Sequence, residues 1–441
     1  MESQMWQANQ ASQFPDNMPG VQQTTCCIVG GGPAGAFLGL LLARQGIPVT
    51  ILEAQEDFER DFRADTIHPG VLELMHDLGL IEQLHQFQHS KMYSLVVETA
   101  DGPVTFWDFR RLKTRYPYIM VVPQSRFLEL LTSEARRYPN FRLVMGAKVY
   151  ELVQEDGAIR GVRYRTGDTS HEVRALLTIA ADGRSSRVCR LAGLEPVKLT
   201  KPLEILWFHL PHRSEDTEED GFSLRFKPGH LIIYFDRYEY WQVGFHIPHG
   251  TYRELRGAGL EALRQSIAEA APRFADRLDT LQDWHQLSLL SVQSAYLDRW
   301  YLPGLLAIGD AAHVMTPVGA VGVNMAIQDA VVAANVLSKP LQAGQVSLEH
   351  LSAVQRQRER ATKIVQRWQK MSQRQTVDGA LDRTKPLRLP THVRVMFRLP
   401  ILRNMPARLV GFGIWPARME SHLLTPSVPT EPLEEQAGRP V

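Results

Sequence analysis

Short apolar runs and a helix-like segment alternate near the start of the chain. Thr25 to Val29 is a β-rich apolar run, glycines follow it, and Ala36 to Gln45 is rich in Leu and Ala, which favour helix. A second apolar run, Pro48 to Leu52, ends at Glu53. This order predicts a strand, a tight turn, a helix and a second strand, which together form a βαβ unit of about 30 residues.

The pattern then predicts two helices and a series of strands. The first helical segment runs from Phe62 through Val71 to Leu80, with helical apolar spacing from Val71 to Leu78 and a stop at Gly79. The second helix is expected at Phe127 to Arg137, with Ser125 as its cap. The strands of this part are Met92 to Glu98, Val104 to Phe109, Arg142 to Met145, Lys148 to Gln154, Gly161 to Tyr164 and Glu172 to Ala180. The last strand ends before Asp182-Gly183, and by its position we expect it to return to the first sheet.

A second group of alternating runs lies between Leu203 and Ser294, and it predicts an antiparallel sheet with one helix at Tyr252 to Glu269. If this sheet covers a ligand pocket, its aromatic residues are candidates for the wall, although half of any such set would be ordinary core. The expected wall residues are Trp207, Phe222, Phe226, Tyr234, Trp241 and Phe245. His209 and His246 are its polar candidates, with a structural histidine as the commoner role.

Length and charge limit the function. A chain of 441 residues is long enough for two domains with full cores. Its formal net charge of +1 argues against nucleic acid as a partner, because phosphate binding needs a basic excess. We therefore expect a small-molecule substrate. The sequence shows no metal-ligand spacing, so no metal is expected.

The cysteines and the termini indicate a cytoplasmic protein. Cys26, Cys27 and Cys189 are the only cysteines and two are adjacent, so no disulfide framework is expected. No uncharged apolar run reaches the roughly 18 residues that cross a bilayer. Residues 1–23, rich in Gln and Asn, predict a disordered lead rather than a secretory signal, and residues 425–441 predict a disordered tail.

The first glycine-rich segment has the spacing of a dinucleotide site. Gly30 allows a tight turn, Gly32 lets the backbone approach a pyrophosphate, and Gly35 lets the helix pack closely on the sheet. Pro33 and Ala34 open the helix, whose N-terminal N–H groups can meet phosphates. Glu53, at the end of the second strand, can accept a hydrogen bond from a ribose hydroxyl.

A second glycine motif lies in the last third of the chain. The short strand Leu305 to Ile308 ends at Gly309-Asp310, and a helix rich in small residues is predicted at Asn324 to Leu337. An aspartate at a strand end, ahead of a glycine loop and a helix N-terminus, can bond ribityl hydroxyls while the helix end faces a flavin carbonyl. This motif indicates FAD. The residues between the aspartate and the helix that belong to it are Pro317, Gly319, Gly322, Val323 and Asn324.

With these motifs in order, the chain resembles the class A flavoprotein monooxygenases, the para-hydroxybenzoate hydroxylase-like superfamily, over roughly Thr25 to Gln373. The resemblance implies that Glu53 binds the adenosine ribose and Asp310 the ribityl chain, with Gly322 to Asn324 at the isoalloxazine. It places Arg63 and Arg126 near the FAD phosphates and ribityl, and Asp182-Gly183 at both FAD and NAD(P)H. One position departs from the family: Cys189 stands where an arginine is usual, between Arg187 and Arg190, and Arg190 is a possible substitute.

The resemblance also implies a fold and its division into domains. The expected class is α/β (α+β): a Rossmann-like FAD-binding domain, an antiparallel-sheet substrate domain and C-terminal helices. After the lead 1–23, the FAD-binding domain spans 24–198, with 92–122 partly in the substrate domain. The substrate domain spans 199–294. The FAD-binding domain returns over 295–345, and a helical region 346–424 precedes the tail 425–441.

The implied activity is a monooxygenase, either a hydroxylase or an epoxidase. In the family, NAD(P)H reduces FAD, and a flavin 4a-hydroperoxide transfers oxygen to an aromatic or lipophilic substrate. No catalytic residue is assigned, and His313 is only a loop candidate. Three alternatives remain: a reductase or saturase of the geranylgeranyl-reductase type, a flavin-dependent halogenase, and a non-catalytic FAD-binding protein. The halogenase signature WxWxIP is matched only at its end, by the run Trp241 to Pro248.

The segment Lys385 to Arg418 is basic and apolar and contains no acidic residue. One interpretation is an interfacial segment, whose apolar face enters a lipid headgroup layer while arginines meet anionic lipid. That would place the protein peripherally at the inner face of a membrane. The other interpretation is a C-terminal helical cap on the core with a solvated basic face. The sequence leaves both open.

Overall fold

The computed structural model describes residues 21–59, 66–99, 102–216, 222–227, 229–237, 239–374 and 400–426. Several sequence predictions fall outside these residues: Arg63, residues 1–20 of the expected lead, residues 385–399 of the basic segment, and the tail from residue 427. The side chains of Phe222 and Phe226 are also outside the description.

A parallel sheet with antiparallel additions forms the centre of the first half. Its order is β19-β20-β11-β1-β2-β8, and β10 and β9 extend from β11. The central parallel strands are buried toward their carboxyl ends because helices cover them, and this explains their continuous apolar runs; the edge strand β8 is only partly buried. The strands are β1 (Val21–Val29), β2 (Val49–Leu52), β8 (Phe141–Val144), β9 (Lys148–Glu155), β10 (Ala158–Thr166), β11 (Thr169–Ala180), β19 (Tyr301–Leu302) and β20 (Leu305–Ala307).

The predicted βαβ unit and the return of β11 to the same sheet are confirmed. Helix α1 (Pro33–Arg44) joins β1 to β2, and β11 pairs with β1 in parallel. Two details differ from the sequence prediction. β1 begins at Val21 rather than after a lead of 23 residues, because Val21 to Gln23 pair with β11. Helix α4 (Gln124–Ala135) begins before Ser125, and Pro123 is the N-cap residue.

The second half is built on an antiparallel sheet of five strands in the order β14-β15-β16-β13-β17. Its strands are β13 (Leu203–Pro211), β14 (Phe222–Lys227), β15 (His230–Asp236), β16 (Tyr240–Ile247) and β17 (Ser288–Val292). The single helix predicted here is two helices, α6 (Tyr252–Ala258) and α7 (Leu260–Ala270). Gly259 separates them because its φ of 91° lies outside the helical range.

Smaller elements and the C-terminal helices connect these sheets. The remaining strands are β3 (Thr66–Ile67), β4 (Ser90–Met92), β5 (Ser94–Thr99), β6 (Gly102–Asp108), β7 (Ile119–Val121), β12 (Val197–Lys198), β18 (Ala295–Tyr296) and β21 (His313–Val314). The remaining helices are α2 (Pro69–Asp77), α3 (Ile81–Gln86), α5 (Arg187–Leu191), α8 (Gly322–Gln342), α9 (Leu348–Ser372), α10 (Pro400–Phe412) and α11 (Ser421–Leu424).

Within the described residues, Val318–Gln342 is a helical stretch long and apolar enough to cross a membrane. About three quarters of its most apolar window is buried in the protein, at 72%. It contains α8, which packs against α1 and α9. Its apolar composition is therefore accounted for by its place in the core.

Candidate active site

Four of the sequence motifs meet at one edge of the parallel sheet. Val29 pairs with both Leu52 and Ala180, and Ala180 pairs with Ala307. The next residues along each strand are therefore neighbours: Gly30 after β1, Glu53 after β2, Asp182 shortly after β11, and Gly309-Asp310 after β20. In open α/β sheets, ligands bind at this carboxyl edge.

Close backbone approaches explain several of the glycines. A Cβ on Gly30 would lie 2.3 Å from the Ala181 carbonyl oxygen, and a Cβ on Gly35 would lie 1.9 Å from the Gly30 carbonyl oxygen. Gly35 therefore has the close helix–strand contact expected from its spacing. Gly309, at φ 60°, lies between the two helices, since its Cβ would be 3.2 Å from the Cβ of Ala34 in α1 and 3.1 Å from that of Ala326 in α8.

Two acidic side chains at this edge, the buried Glu53 and the half-buried Asp182, are bonded to backbone N–H groups. Glu53, 4% exposed, accepts from Gly31 at 2.8 Å and from Gln55 at 3.0 Å. Asp182 accepts from the Ser186 hydroxyl at 2.5 Å and from the backbone N–H groups of Arg187 and Val188 at 2.7 and 3.0 Å. The Asp182 carboxylate thus starts helix α5. Its contact with a cofactor stays a prediction.

The starts of α1 and α8 suit an anionic ligand. Neither helix has a side-chain cap or an acidic residue in its first turn, so its first N–H groups have no protein anion. A Cβ on Gly32 would meet no atom within 4 Å, and this leaves open space in front of α1. Three buried polar atoms near the start of α8 have no hydrogen-bond partner among the described residues: Thr316 Oγ1, Asn324 Nδ2 and His68 Nε2. These features fit FAD, whose phosphates and ring edges offer partners to both helix starts.

A buried charge cluster that the sequence did not predict fixes the second glycine motif. The Asp329 carboxylate in α8, fully buried, accepts from the Gly309 N–H at 3.0 Å, from His313 Nε2 at 2.5 Å and from Arg358 Nε in α9 at 2.7 Å. Burial alone would raise the pKa of Asp329, but His313 and Arg358 outweigh it and the pKa is lowered. The ionised Asp329 therefore connects α8 and α9 to the backbone of the motif.

His68 connects the C-terminal helix α10 to the same site. Its backbone N–H donates to Asn324 Oδ1 at 3.0 Å, and its Nδ1 donates to the Val410 carbonyl at 2.7 Å. Burial lowers the pKa of His68 to about 4, although the Val410 contact opposes the shift. His68 is therefore neutral near pH 7, and its Nε2 is a buried acceptor.

The other site candidates are placed as follows. Arg126 is exposed and paired with Glu129 in α4 at 3.0 Å. Asp310 is half-buried at the end of β20, and Pro317, Gly322 and Val323 lie in the loop and first turn that lead into α8. His313 belongs to the Asp329 cluster rather than to a substrate-facing loop.

Cys189, the departure from the family pattern, is a structural thiol. Its Sγ donates to the Ala311 carbonyl at 3.6 Å, just after Gly309-Asp310. Burial raises the pKa of its thiol to about 12, so it stays protonated. Arg187 and Arg190 on either side are exposed. Among the described residues, no cluster of His, Cys, Asp and Glu could hold a metal ion.

The five-stranded sheet turns one face to the glycine motif loop, which we call the inner face. Val318, between Pro317 and α8, packs with Leu203, Leu224 and Leu231 of this face. Trp207 lies on the inner face with Val121.

Three of the expected wall residues lie on the opposite face. Tyr234, Trp241 and Phe245 pack against α7 in a separate core. Their assignment to the pocket wall is therefore wrong, because successive residues of a strand alternate between faces. The alternation was visible in the sequence, but which face meets the glycine motif was not.

Comparison with known proteins agrees with this geometry. A family model described as an FAD binding domain matches residues 23–368. The chain is 32% identical to the 6-methylpretetramide 4-monooxygenase of Streptomyces rimosus, over 92% of this chain and 96% of that protein.

Solved structures show the same fold. Anhydrotetracycline hydroxylase of Streptomyces rimosus superposes with a TM-score of 0.70 at 23% identity, covering 88% of this chain and 76% of that one. A flavin-dependent brominase superposes with a TM-score of 0.73 at 17% identity, covering 88% and 94%. At these identities the likeness concerns the fold alone.

Proposed function

The chain belongs to the FAD-binding family of class A flavoprotein monooxygenases, and from this premise we propose that it hydroxylates an aromatic small molecule with NAD(P)H and dioxygen. The observation that carries the proposal is the meeting of Gly30, Glu53 and Gly309-Asp310 at one sheet edge, in front of two uncapped helix starts. It supports FAD as the resident cofactor and an oxidoreductase as the class of enzyme.

The protein's own residues bind, orient and shield the cofactor. Bound FAD supplies the redox and oxygen-activating chemistry. At the carboxyl ends of their strands, Glu53 would accept from a ribose hydroxyl and Asp310 from the ribityl chain. The start of α8 stabilises negative charge in front of it through its unpaired N–H groups. The inner face of the five-stranded sheet, with Leu203, Leu231 and Val318, excludes water.

The substrate belongs to the aromatic compounds on which such monooxygenases act. The relative at 32% identity acts on 6-methylpretetramide, and this compound is the first one to test. Phenols, quinone precursors and polyketides complete the panel. The choice between NADH and NADPH is measured in the same assay.

The test is NAD(P)H oxidation by the FAD-loaded protein across this panel, with the product mass measured. A gain of one oxygen atom, with oxygen uptake that depends on substrate, is the expected result. A product with two added hydrogens and no oxygen uptake would instead identify a reductase. A product formed only when halide is added would identify a halogenase. Bound flavin without substrate-stimulated NAD(P)H oxidation would identify a non-catalytic protein.

The cofactor site is tested separately with Asp310→Ala. We expect this variant to be purified with little FAD, because it loses the carboxylate at the end of β20. Asp168→Ala, in the exposed turn between β10 and β11, is the matched control and should keep its flavin. The ratio of flavin to protein absorbance measures both. Full FAD occupancy in Asp310→Ala would contradict the assignment.

We also propose peripheral membrane contact through the described end of the basic segment. Helix α10 is held to the core by buried Ala407 and Val410, as a helical cap would be. Its surroundings nevertheless expose Met405 at 62% and Trp415 at 54%, next to arginines. The protein would then act in the cytoplasm at the inner membrane face. Flotation with anionic vesicles tests this, and absence of binding would remove the membrane contact and leave only the cap.

A further inference from the structure

Two polar side chains on the inner face of the five-stranded sheet are buried without partners. Trp207 is 6% exposed and His246 is 7% exposed. The indole Nε1 of Trp207 and the Nδ1 of His246 have no hydrogen-bond partner in the described structure. A buried polar atom without a partner costs roughly 1–3 kcal/mol, so such atoms call for an explanation. A ligand that bonds both would supply one.

The sheet register places both residues on the face that meets the glycine motif loop. His246 lies between Ile205 and Leu231 on the neighbouring strands. Leu231 packs with Val318 of the loop, and Ile205 packs with Trp207 and Val121. The two polar side chains therefore lie among the apolar contacts that join the sheet to the cofactor site.

Gly244 brings the two residues together. Trp207 pairs with Gly244, two positions before His246 in β16. The Trp207 ring lies over this glycine, since a Cβ there would be 2.9 Å from the ring atoms Cη2 and Cζ3. Side chains in such a diagonal relation are about 7–8 Å apart at Cα, which is within the reach of one aromatic ligand.

The chemistry of the inner face selects an uncharged ligand group. Among the strand positions that the structure describes, no Lys, Arg, Asp or Glu occupies this face. The charged group that reaches it, Arg237 beyond the end of β15, donates from Nε to Gln242 at 3.0 Å. Burial lowers the pKa of His246 to about 3, so its imidazole is neutral near pH 7. Between Trp207 and His246, a carboxylate would meet an uncharged indole and a neutral imidazole, whereas the Arg237 guanidinium bonds Gln242 Oε1 and lies over the Phe235 ring.

From these observations we infer that His246 and Trp207 recognise a hydroxyl or carbonyl oxygen on the aromatic substrate, and that the enzyme prefers phenols or quinones to aromatic carboxylates. The inference rests on the proposed function and adds the substrate class and its recognition residues. Trp207 donates from its indole N–H, and His246 donates or accepts according to its tautomer.

The experiment compares ligands that differ by one oxygen. Binding of 1-naphthol and of naphthalene to the FAD-loaded protein is followed through the flavin absorbance, with 1-hydroxy-2-naphthoate as the charged analogue. The wild-type protein should bind 1-naphthol about tenfold more tightly than naphthalene, the value of two hydrogen bonds. It should bind the carboxylate more weakly than 1-naphthol. Equal binding of 1-naphthol and naphthalene would overturn the inference without any variant.

Two variants locate the effect. In His246→Phe and in Trp207→Phe, the preference for 1-naphthol over naphthalene should fall at least about threefold, while FAD stays bound. His285→Phe makes the same change at a side chain that is 97% exposed and outside the sheet, and it should keep the wild-type preference. An unchanged preference in both inner-face variants would overturn the assignment of residues. If one of the two Phe variants does not retain FAD, the inference is tested by His246→Gln and by the wild-type preference for 1-naphthol over naphthalene.

The two proposals fail in different measurements. The ratio of the affinities for 1-naphthol and naphthalene tests this inference, whereas the product mass tests the proposed function. An enzyme that adds oxygen to 1-naphthol but shows no preference over naphthalene would contradict this inference only. A protein that shows the preference but never adds oxygen would contradict the monooxygenase proposal only.

Discussion

Each half of the molecule contains a buried aspartate paired with an arginine, but the two pairs do different work. Asp329 with Arg358 lies in the FAD-binding half, and Asp216 with Arg277 lies in the substrate half. Both aspartates also bond a neighbouring group: Asp329 accepts from the Gly309 backbone, and Asp216 accepts from the Trp241 indole at 2.8 Å. The difference is in what these neighbours do.

Gly309 belongs to the cofactor site, whereas Trp241 lies on the face of the five-stranded sheet that packs against α7. Asp329 is completely buried, whereas the Asp216 group extends to the surface, where Asp276 is 46% exposed. We therefore expect the same pair of residue types to support the candidate cofactor site in one half and only the stability of a domain in the other. The comparison teaches that a buried ion pair contributes to function only when the group it holds in place belongs to a site.

The largest effect is expected from Asp329→Ala. The change leaves Arg358 buried without a carboxylate, which costs roughly 3–5 kcal/mol in the free energy of unfolding. It also removes the acceptor of the Gly309 N–H, so FAD binding should weaken at least about tenfold. Urea unfolding and flavin titration measure the two effects.

The double variant Asp329→Leu with Arg358→Met separates the two roles of the cluster. It removes both charges, so much of the lost stability should return. The affinity for FAD should remain low, because Gly309 still lacks its acceptor. If FAD affinity recovers together with stability, Asp329 acts only on the fold and the comparison fails.

A smaller effect is expected from Asp216→Ala. Trp241 loses its acceptor, and Arg277 keeps only its partly exposed carboxylate partner Asp276, so we expect a loss of roughly 2–4 kcal/mol in the free energy of unfolding. FAD affinity should change less than about twofold, because the cluster lies on the sheet face away from the cofactor. Asp276→Ala, at the exposed end of the same cluster, is the control and should cost less than about 1 kcal/mol. Loss of FAD in Asp216→Ala would show that the halves are coupled.

The sequence predicted one half of this comparison much better than the other. The cofactor edge can be predicted from local sequence, since Gly30 and Glu53 directly follow strands with continuous apolar runs, and Gly35 lies in the first turn of the helix between them. The break at Gly259 was readable in principle, because a glycine interrupts a helical pattern there. Asp329 and Arg358 are 29 residues apart on two helices, and nothing in a single sequence pairs them. Likewise, the alternation of side chains along the strands puts Trp207 and Trp241 on opposite faces of the sheet. It does not say which face meets the glycine motif loop.

Acid should lower the free energy of unfolding of both halves below about pH 6.5, because each half contains one buried neutral histidine. The pKa is lowered from 6.5 to about 4 for His68 and to about 3 for His246. The unfolded chain therefore binds more protons than the native protein below about pH 6.5, and stability falls as pH falls. Each histidine adds up to about 1.4 kcal/mol per pH unit until its native pKa is reached.

Urea unfolding between pH 7 and pH 4.5 measures this slope. His68→Gln should lower the number of protons taken up on unfolding, which this slope measures, by up to one. His246→Gln should do the same in the other half. His285→Gln, at a side chain that is 97% exposed, should leave the slope unchanged. If neither buried variant changes the slope, both histidines take up protons in the native state and their burial does not control acid stability.

The smallest effect concerns a third pair of the same chemistry, which lies at the surface. Arg126 and Glu129 are 54% and 41% exposed, so Glu129→Gln should change the free energy of unfolding by less than about 0.5 kcal/mol. Arg126→Gln should be equally mild for stability, yet it should weaken FAD binding if Arg126 meets the cofactor as the family resemblance implies. Flavin titration of the two variants distinguishes these roles, and equal affinities would leave Arg126 with its surface pair alone. Weaker FAD binding in Arg126→Gln alone would show that an exposed pair can be functional by what it binds, as we expect the buried Asp329 pair to be by what it orients.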